Sequence, residues 1–205
     1  MRDLKLPGIT VVGAISGVLS IVLLRAASLN PEVLSVNSAI LFIPGLLFCL
    51  ALLLVSVVPL GRPLLVSRFR GILKLGMGVL FVAVGTVSYF LAFKTVHLLL
   101  SRAFDNTQGP TLAFCGLLGG GVGTALFGGI LAVFFPSMAN GASFMRVLLA
   151  GTTAGLLLFA GARFGWLGIY FFILAWQVLV ALIIGISDLS AEGAMRRRGG
   201  HRRRS

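Results

Sequence analysis

The sequence predicts an all-α fold, a polytopic bundle of about six transmembrane helices with the N- and C-termini in the cytoplasm. Hydrophobic residues make up 58% of the 205 positions and charged residues only 11%, whereas a soluble domain carries about 25% charged residues. The apolar residues form long blocks, and about 20 consecutive apolar residues span a bilayer as a helix. Transmembrane β-barrels need short alternating strands, a pattern that the sequence does not show.

The basic residues predict the orientation. With a cytoplasmic N-terminus, the inner segments hold 13 Lys and Arg residues and the outer segments hold four. Because cytoplasmic loops carry the excess of positive charge, both termini are expected inside. Residues 1–187 then form a six-span transmembrane domain, and residues 188–205 form a basic, disordered cytoplasmic tail. The expected spans are residues 7–24, 39–60, 75–93, 111–135, 142–162 and 165–187.

The first span carries Gly13 and Gly17 four residues apart, which places both on one face of a helix. A charged start followed by apolar residues is also typical of a signal peptide. The apolar run is longer than the 7–15 residues usual for such peptides, which favours a membrane anchor. Cleavage would leave the other five spans in the same orientation.

The second and third spans raise two structural questions. Pro44-Gly45 predicts a kink in span two, which shapes either a cavity or a packing bend. After span three, residues 94–104 stay largely apolar and form either an outward helical extension or an amphipathic segment in the interface. Lys94, His97 and Arg102 form a basic cluster here, and interfacial anchoring is favoured over a site for an anion or an anionic lipid head group.

The fourth span is rich in glycine: seven of the fourteen positions from Gly116 to Gly129 are glycine. Glycine weakens a helix in water, but a helix in lipid keeps its backbone hydrogen bonds, and small residues let two helices approach closely. The sequence therefore predicts helix-packing faces, also in spans one and five. The candidate contact residues are Gly13, Gly17, Gly116, Gly119, Gly120, Gly123, Gly129, Gly151 and Gly155.

These glycines have three interpretations. Tight packing within one molecule is favoured over an interface between subunits through span four. A glycine-lined path for a substrate is the third, and a helix break at 119–121, as in transporters with half-helices, would belong to it.

Spans five and six are separated by only Arg163 and Phe164, which makes a tight hairpin or a merged re-entrant pair. Beyond span six the tail carries two arginine triplets, the first being residues 196–198 (Arg196, Arg197 and Arg198). Basic residues beside the cytoplasmic surface attract anionic lipid head groups. Nucleic acid is disfavoured as a partner, because the tail has no aromatic residue for stacking on bases.

The predicted spans lack the side chains that usually carry out catalysis or bind metals. All five acidic residues lie in loops or tails, so paired carboxylates for acid/base catalysis are missing from the membrane. The histidines and cysteines do not form a ligand set, and we expect no enzyme activity, metal or cofactor. Gln177 and Thr86 are uncharged polar groups for which bonding between helices is favoured over contact with a substrate.

The cysteines and loops say little about compartment. Cys49 and Cys115 differ in predicted depth by about 8 Å at 1.5 Å per residue, so free, buried thiols are expected. The chain has no Asn-X-Ser/Thr glycosylation sequence, which favours the inner membrane of a bacterium as its location. Tyr89, Tyr170 and Trp176 are expected in an interfacial belt or in helix packing.

Two functions fit these features. The first is a non-enzymatic packing or accessory subunit of a membrane complex, with a second copy or another membrane protein bound through span four. The second is a small permease or exporter for a neutral or hydrophobic solute, which would need no charged relay.

Overall fold

A computed structural model describes residues 5–28, 42–57, 72–102, 109–157 and 166–201. These ranges are helical throughout most of their length and contain no β-strand. The α-helices are α1 (Lys5–Ser28), α2 (Ile43–Val57), α3 (Ile72–Arg102), α4 (Gly109–Phe134), α5 (Gly141–Gly155) and α6 (Trp166–His201), with a 3-10 turn at Pro136–Met138 before α5. The predicted all-α class is confirmed for this part of the chain.

Four of these helices are long and apolar enough to cross a membrane, which supports a membrane protein with several spans. Their apolar stretches are Gly8–Ala26, Gly76–Val96, Pro110–Phe134 and Leu167–Ser187. The described part of α2 holds a shorter apolar stretch, Ile43–Val55, and α5 has 15 residues. The count of six spans and the cytoplasmic side of the termini stay predictions.

The helices form a closed bundle in which each one packs against the next along the sequence and α6 packs against α1. Gly13 lies against Ala181 and Gly17 against Leu174, so α1 and α6 run in opposite directions. Neighbouring helices from α2 to α5 also run antiparallel, because contact positions rise along one helix as they fall along the other. Aromatic contacts make α3 and α6 antiparallel as well. Helix directions therefore alternate, and the start of α1 and the end of α6 lie at the same end of the bundle.

Large aromatic side chains fill the centre of the bundle. The Phe48 ring lies 5.5 Å from the Trp176 ring and 5.8 Å from the Phe127 ring, and Phe81 packs edge-on against Phe134 at 5.1 Å. These contacts join α2, α3, α4 and α6 through rings that prefer such tilted geometries. Tyr89 and Trp176 are therefore packing residues of the core.

The outer surface is apolar on every long helix. Val133 on α4 is 64% exposed and Val79 on α3 is 63% exposed, with Leu149 on α5 at 60%. A water-soluble protein rarely exposes apolar side chains so continuously, and lipid is the solvent that suits such a surface. Both Cys49 and Cys115 are free and buried, as predicted.

Three segments refine the sequence expectations. α3 continues to Arg102, so residues 94–102 are a helical extension of span three; the stretch from 86 to 102 has no Gly or Pro to end the helix. α6 continues to His201, which differs from a disordered tail beginning at 188, because helix formers such as Ala191, Glu192 and Met195 extend the helix. Residues 202–205 and the hairpin at 163–164 lie outside the described residues.

Pro44 lies in the first turn of α2, which begins at Ile43. Proline fits this position because the first N–H groups of a helix have no partner within the helix. The described helix therefore needs no kink at Pro44-Gly45.

Candidate functional site

Two glycine faces of α4 contact two different helices of the same chain. On the first face, a Cβ atom added at Gly120 would collide with the carbonyl oxygen of Gly151, and one at Gly155 would lie 2.7 Å from the carbonyl carbon of Gly116. α4 and α5 therefore meet backbone to backbone, with glycine on both sides. Such close approach is what small residues permit in membrane helices.

On the second face, α4 meets α3. A Cβ atom added at Gly119 would lie 2.9 Å from the Ala92 carbonyl oxygen, and one at Gly123 would lie 2.5 Å from the Ala92 Cβ atom. Both separations are shorter than real Cβ contacts. The run 119–121 lies within the continuous helix α4, with no break.

The glycines of α1 have the same role against α6. A Cβ atom added at Gly13 would lie 2.9 Å from the Gln177 carbonyl oxygen, and one at Gly17 would lie 2.8 Å from Leu174 Cδ1.

Gly151 on α5 contacts α4. A substituent at Gly151 would collide with the Thr124 side chain, whose hydroxyl donates to the Gly120 carbonyl oxygen at 2.5 Å.

Gly129 is different from the other candidate glycines. It is exposed, and a Cβ atom added there would meet no atom of the described helices within 4 Å. Val122, Leu126 and Val133 are also exposed on α4, and their spacing of four, three and four residues along with Gly129 places all of them on one helical stripe. We call Val122, Leu126, Gly129 and Val133 the outer stripe of α4.

A buried polar cluster joins α1, α2 and α6. Gln177 is completely buried, and its Nε2 atom donates to the Ser20 hydroxyl at 3.3 Å and to the Pro44 carbonyl oxygen at 3.1 Å. The Ser16 hydroxyl donates to Gln177 Oε1. The Ser20 hydroxyl in turn donates to the Ser16 carbonyl oxygen at 2.7 Å.

This cluster uses both donors of the Gln177 amide within the protein. A solute would have to break one of these hydrogen bonds to contact the amide. The arrangement therefore acts as a polar tie among three helices. Thr86, the other polar candidate, donates to the Val82 carbonyl oxygen of its own helix at 2.6 Å.

A second polar tie joins the start of α5 to α6. The Ser143 hydroxyl donates to the Ser187 hydroxyl at 3.0 Å. Asn140 caps α5, because its side-chain oxygen accepts from the Ser143 backbone N–H at 2.8 Å. Sequence reasoning did not single out Ser187, Ser16 or Ser20.

Tyr89 lies at the centre of the bundle without a hydrogen-bond partner. The residue is 3% exposed, and its hydroxyl is a buried polar atom with no partner among the described residues. The ring packs edge-on against Trp176 at 5.0 Å and tilts against Phe93 at 5.3 Å. Buried polar groups in proteins are nearly always hydrogen-bonded, so this hydroxyl is a candidate contact for a ligand.

The basic candidates lie near the ends of helices. Lys94 is exposed on α3, with its Nζ atom 5.6 Å from the centre of the Phe90 ring. His97 and Arg102 belong to the same helix, and residues 196–198 belong to the last turns of α6. The structure does not describe the side chains of His97, Arg102 or residues 196–198.

Within the described ranges, no group of three or more His, Cys, Asp or Glu side chains could hold a metal ion. The hydrogen-bonded clusters around Gln177 and around Ser143 are formed by neutral side chains. Comparison with family models, curated proteins and solved structures found no match, so the functional conclusions depend on the residues of this chain.

Proposed function

We propose that this chain is a non-enzymatic subunit of a membrane assembly, and that the outer stripe of α4 is its contact surface. Gly129 is the observation that carries the proposal. The glycines at 116, 119, 120 and 123 are covered by α3 and α5, but Gly129 faces outwards with open space above it. A bare backbone within a span allows a second helix to approach closely.

The spacing of the outer stripe supports a helix as the partner. Val122, Leu126, Gly129 and Val133 repeat at the 3.5-residue average of a left-handed helix pair. Fluid lipid chains do not pack specifically against the gap that a glycine leaves on a helix surface. A second helix would make van der Waals contact along the whole stripe. The partner is a membrane helix of a second copy or of another subunit.

A Gly129→Leu variant tests this proposal. Leucine at this exposed position would project into the partner and should break the assembly in mild detergent. The monomer should stay folded, because no described residue lies within 4 Å of a Cβ atom at this position. Ala83→Leu on the exposed face of α3 is the matched control. Native-size complexes for both variants would contradict the proposal; loss of the complex in Gly129→Leu alone supports it.

A second candidate function, a permease for a neutral solute, is favoured by the Tyr89 hydroxyl. This group lies unpartnered among aromatic rings at the crossing of α3 and α6, where a transported molecule would contact it. Flux of a neutral solute into vesicles containing the purified chain tests this function, with Tyr89→Phe as the variant expected to slow it. Equal flux in protein-free vesicles would contradict it.

We further propose that the chain resides in the inner membrane of a bacterium, with its arginine-rich end bound to anionic lipid. The continuation of α6 to His201 supports the lipid contact, because it carries residues 196–198 on a helix beyond the apolar stretch that ends at Ser187. Each basic residue near an anionic surface contributes about 1 kcal/mol of attraction.

A further inference from the structure

We propose that Tyr89 and its neighbouring rings form a binding site for a small, neutral aromatic molecule that carries a hydrogen-bond acceptor, such as a ketone. The site would use the Tyr89 hydroxyl as donor and the rings of Phe93, Phe172 and Trp176 as apolar walls. The proposal does not depend on the subunit function, because the outer stripe of α4 and the central rings belong to different surfaces of the molecule.

The hydroxyl is the first reason. A buried hydroxyl without a partner destabilises the protein in which it lies, and phenylalanine would fill the same space without that cost. Nothing in the packing of the described residues explains why the ring carries an oxygen. A ligand acceptor within reach would satisfy the O–H group.

The surrounding rings define the shape of the ligand. Tyr89 lies edge-on to Trp176 at 5.0 Å, and Phe93 lies edge-on to Phe172 at 5.7 Å. Ring faces and edges attract one another in tilted and T-shaped geometries. A planar aromatic molecule of one or two rings would therefore replace the ring contacts that it separates.

The charge of the site defines the polarity of the ligand. All five acidic residues of the chain lie outside the predicted spans, so a cation in the centre would find no carboxylate. The basic residues also lie in loops or near the ends of spans. An ion would pay its full desolvation cost there, whereas a neutral acceptor needs only one donor.

Access requires movement of the rings. The Tyr89 hydroxyl has less than 1 Å² of accessible surface, so the closed packing leaves no room for a ligand or a water molecule beside it. Sites of this kind are populated when the ligand stabilises a minor, open arrangement. The site is therefore a closed one that opens on binding.

The test uses two probes that differ only in the acceptor, 2-acetylnaphthalene and 2-ethylnaphthalene. The full chain, as wild type and as Tyr89→Phe, is heated in detergent, and unfolding is followed by reaction of a dye with the buried thiols of Cys49 and Cys115. A ligand of the folded state raises the unfolding temperature in proportion to its affinity. Both variants experience the same partitioning of each probe into micelles.

We expect Tyr89→Phe to lower the apparent affinity for the ketone about two- to tenfold, which corresponds to one hydrogen bond, and to leave the hydrocarbon affinity unchanged. A ketone effect that is equal in both variants overturns the proposal, as does the absence of stabilisation by either probe. Without probe, Tyr89→Phe should unfold at or above the wild-type temperature. An unfolding temperature of Tyr89→Phe below that of the wild type would show that the hydroxyl has a partner within the protein. That result would also overturn the proposal.

Discussion

Gln177 shows how a single polar residue is accommodated within an apolar helix. Its amide donates to α1 and α2 simultaneously and accepts from Ser16, so one side chain connects three helices. Hydrogen bonds between membrane helices contribute about 0.6 kcal/mol on average and up to about 1.7 kcal/mol. The residue therefore stabilises the bundle and fixes how α1, α2 and α6 are arranged.

Gln177→Leu should lower the free energy of unfolding by about 1–2 kcal/mol, because it removes two donated bonds and the acceptor of the Ser16 hydroxyl. Ser20→Ala removes one acceptor and should lower the free energy of unfolding by a smaller amount. The measurement is reversible unfolding of the purified chain in mixed micelles with increasing denaturing detergent. Equal stability of Gln177→Leu and wild type would show that the cluster contributes nothing.

The sequence revealed part of this cluster. Gln177 is conspicuous because it interrupts a long apolar run, and bonding between helices was its favoured role. Ser16 and Ser20 were missed because serine in a membrane helix can bond to its own backbone, so its identity does not reveal a partner. Their signal was position: both lie on the same face of α1 as Gly13 and Gly17, the face that contacts α6.

At the scale of the helix, α4 has three faces with different neighbours. Glycines four residues apart predicted that such faces exist, but this pattern does not encode which helix occupies each one. The structure places α5 on the first face and α3 on the second, and it leaves the outer stripe uncovered within the chain. Which helix covers each face depends on the antiparallel order of all the helices, and glycine spacing does not reveal that order.

Alanine substitutions in α4 should separate these faces. Gly120→Ala should destabilise the chain by about 2 kcal/mol or more, because its Cβ atom collides with the Gly151 carbonyl oxygen and overpacking is costly. Gly129→Ala should be neutral or slightly stabilising, since its space is open and alanine favours a helix. Unfolding in mixed micelles measures both. Equal effects of the two substitutions would contradict the assignment of the faces.

The end of α6 is where sequence reasoning and structure differ most. Arginine-rich composition favoured disorder from 188 onwards, yet the helix continues to His201. The composition of the segment after residue 187 describes the segment as a whole and does not locate the end of a helix. A helix already formed in the membrane needs only one further hydrogen bond for each residue that it adds. Helix formers such as Ala191 and Met195 are sufficient for that continuation.

Binding of this extension to anionic lipid should slow its hydrogen exchange. In nanodiscs with anionic lipid, the backbone amides of residues 188–201 should exchange more slowly than in zwitterionic nanodiscs, and added salt should remove the difference because it screens surface charge. Replacing residues 196–198 with glutamine should abolish the lipid effect. Exchange rates that do not depend on the lipid would contradict the proposed contact.

At the scale of the whole molecule, the bundle has a cluster of aromatic rings at its centre and mainly aliphatic side chains on its surface, where Phe114 and Phe171 are also exposed. Composition and block length predicted the membrane class because lipid requires long apolar helices. They did not predict the central rings, because an apolar residue in a span fits equally well towards lipid or protein. The alternation of helix directions follows from side-chain contacts and places both ends of the described chain on one side of the bundle.

The central claim is that all six helices cross the membrane with the basic ends in the cytoplasm. Single cysteines, one for each connection and the C-terminal extension, test it through labelling with a membrane-impermeant maleimide, with the parent chain as control because its two thiols are buried. The sites are Asn37, Asn106 and Arg163 on the predicted outside and Arg68, Ala139 and Ser190 on the predicted inside.

In right-side-out spheroplasts, the account predicts labelling at Asn37→Cys, Asn106→Cys and Arg163→Cys, and labelling of the other three variants only after the membrane is permeabilised. Labelling of Arg68→Cys, Ala139→Cys or Ser190→Cys in intact spheroplasts would contradict the six-span arrangement.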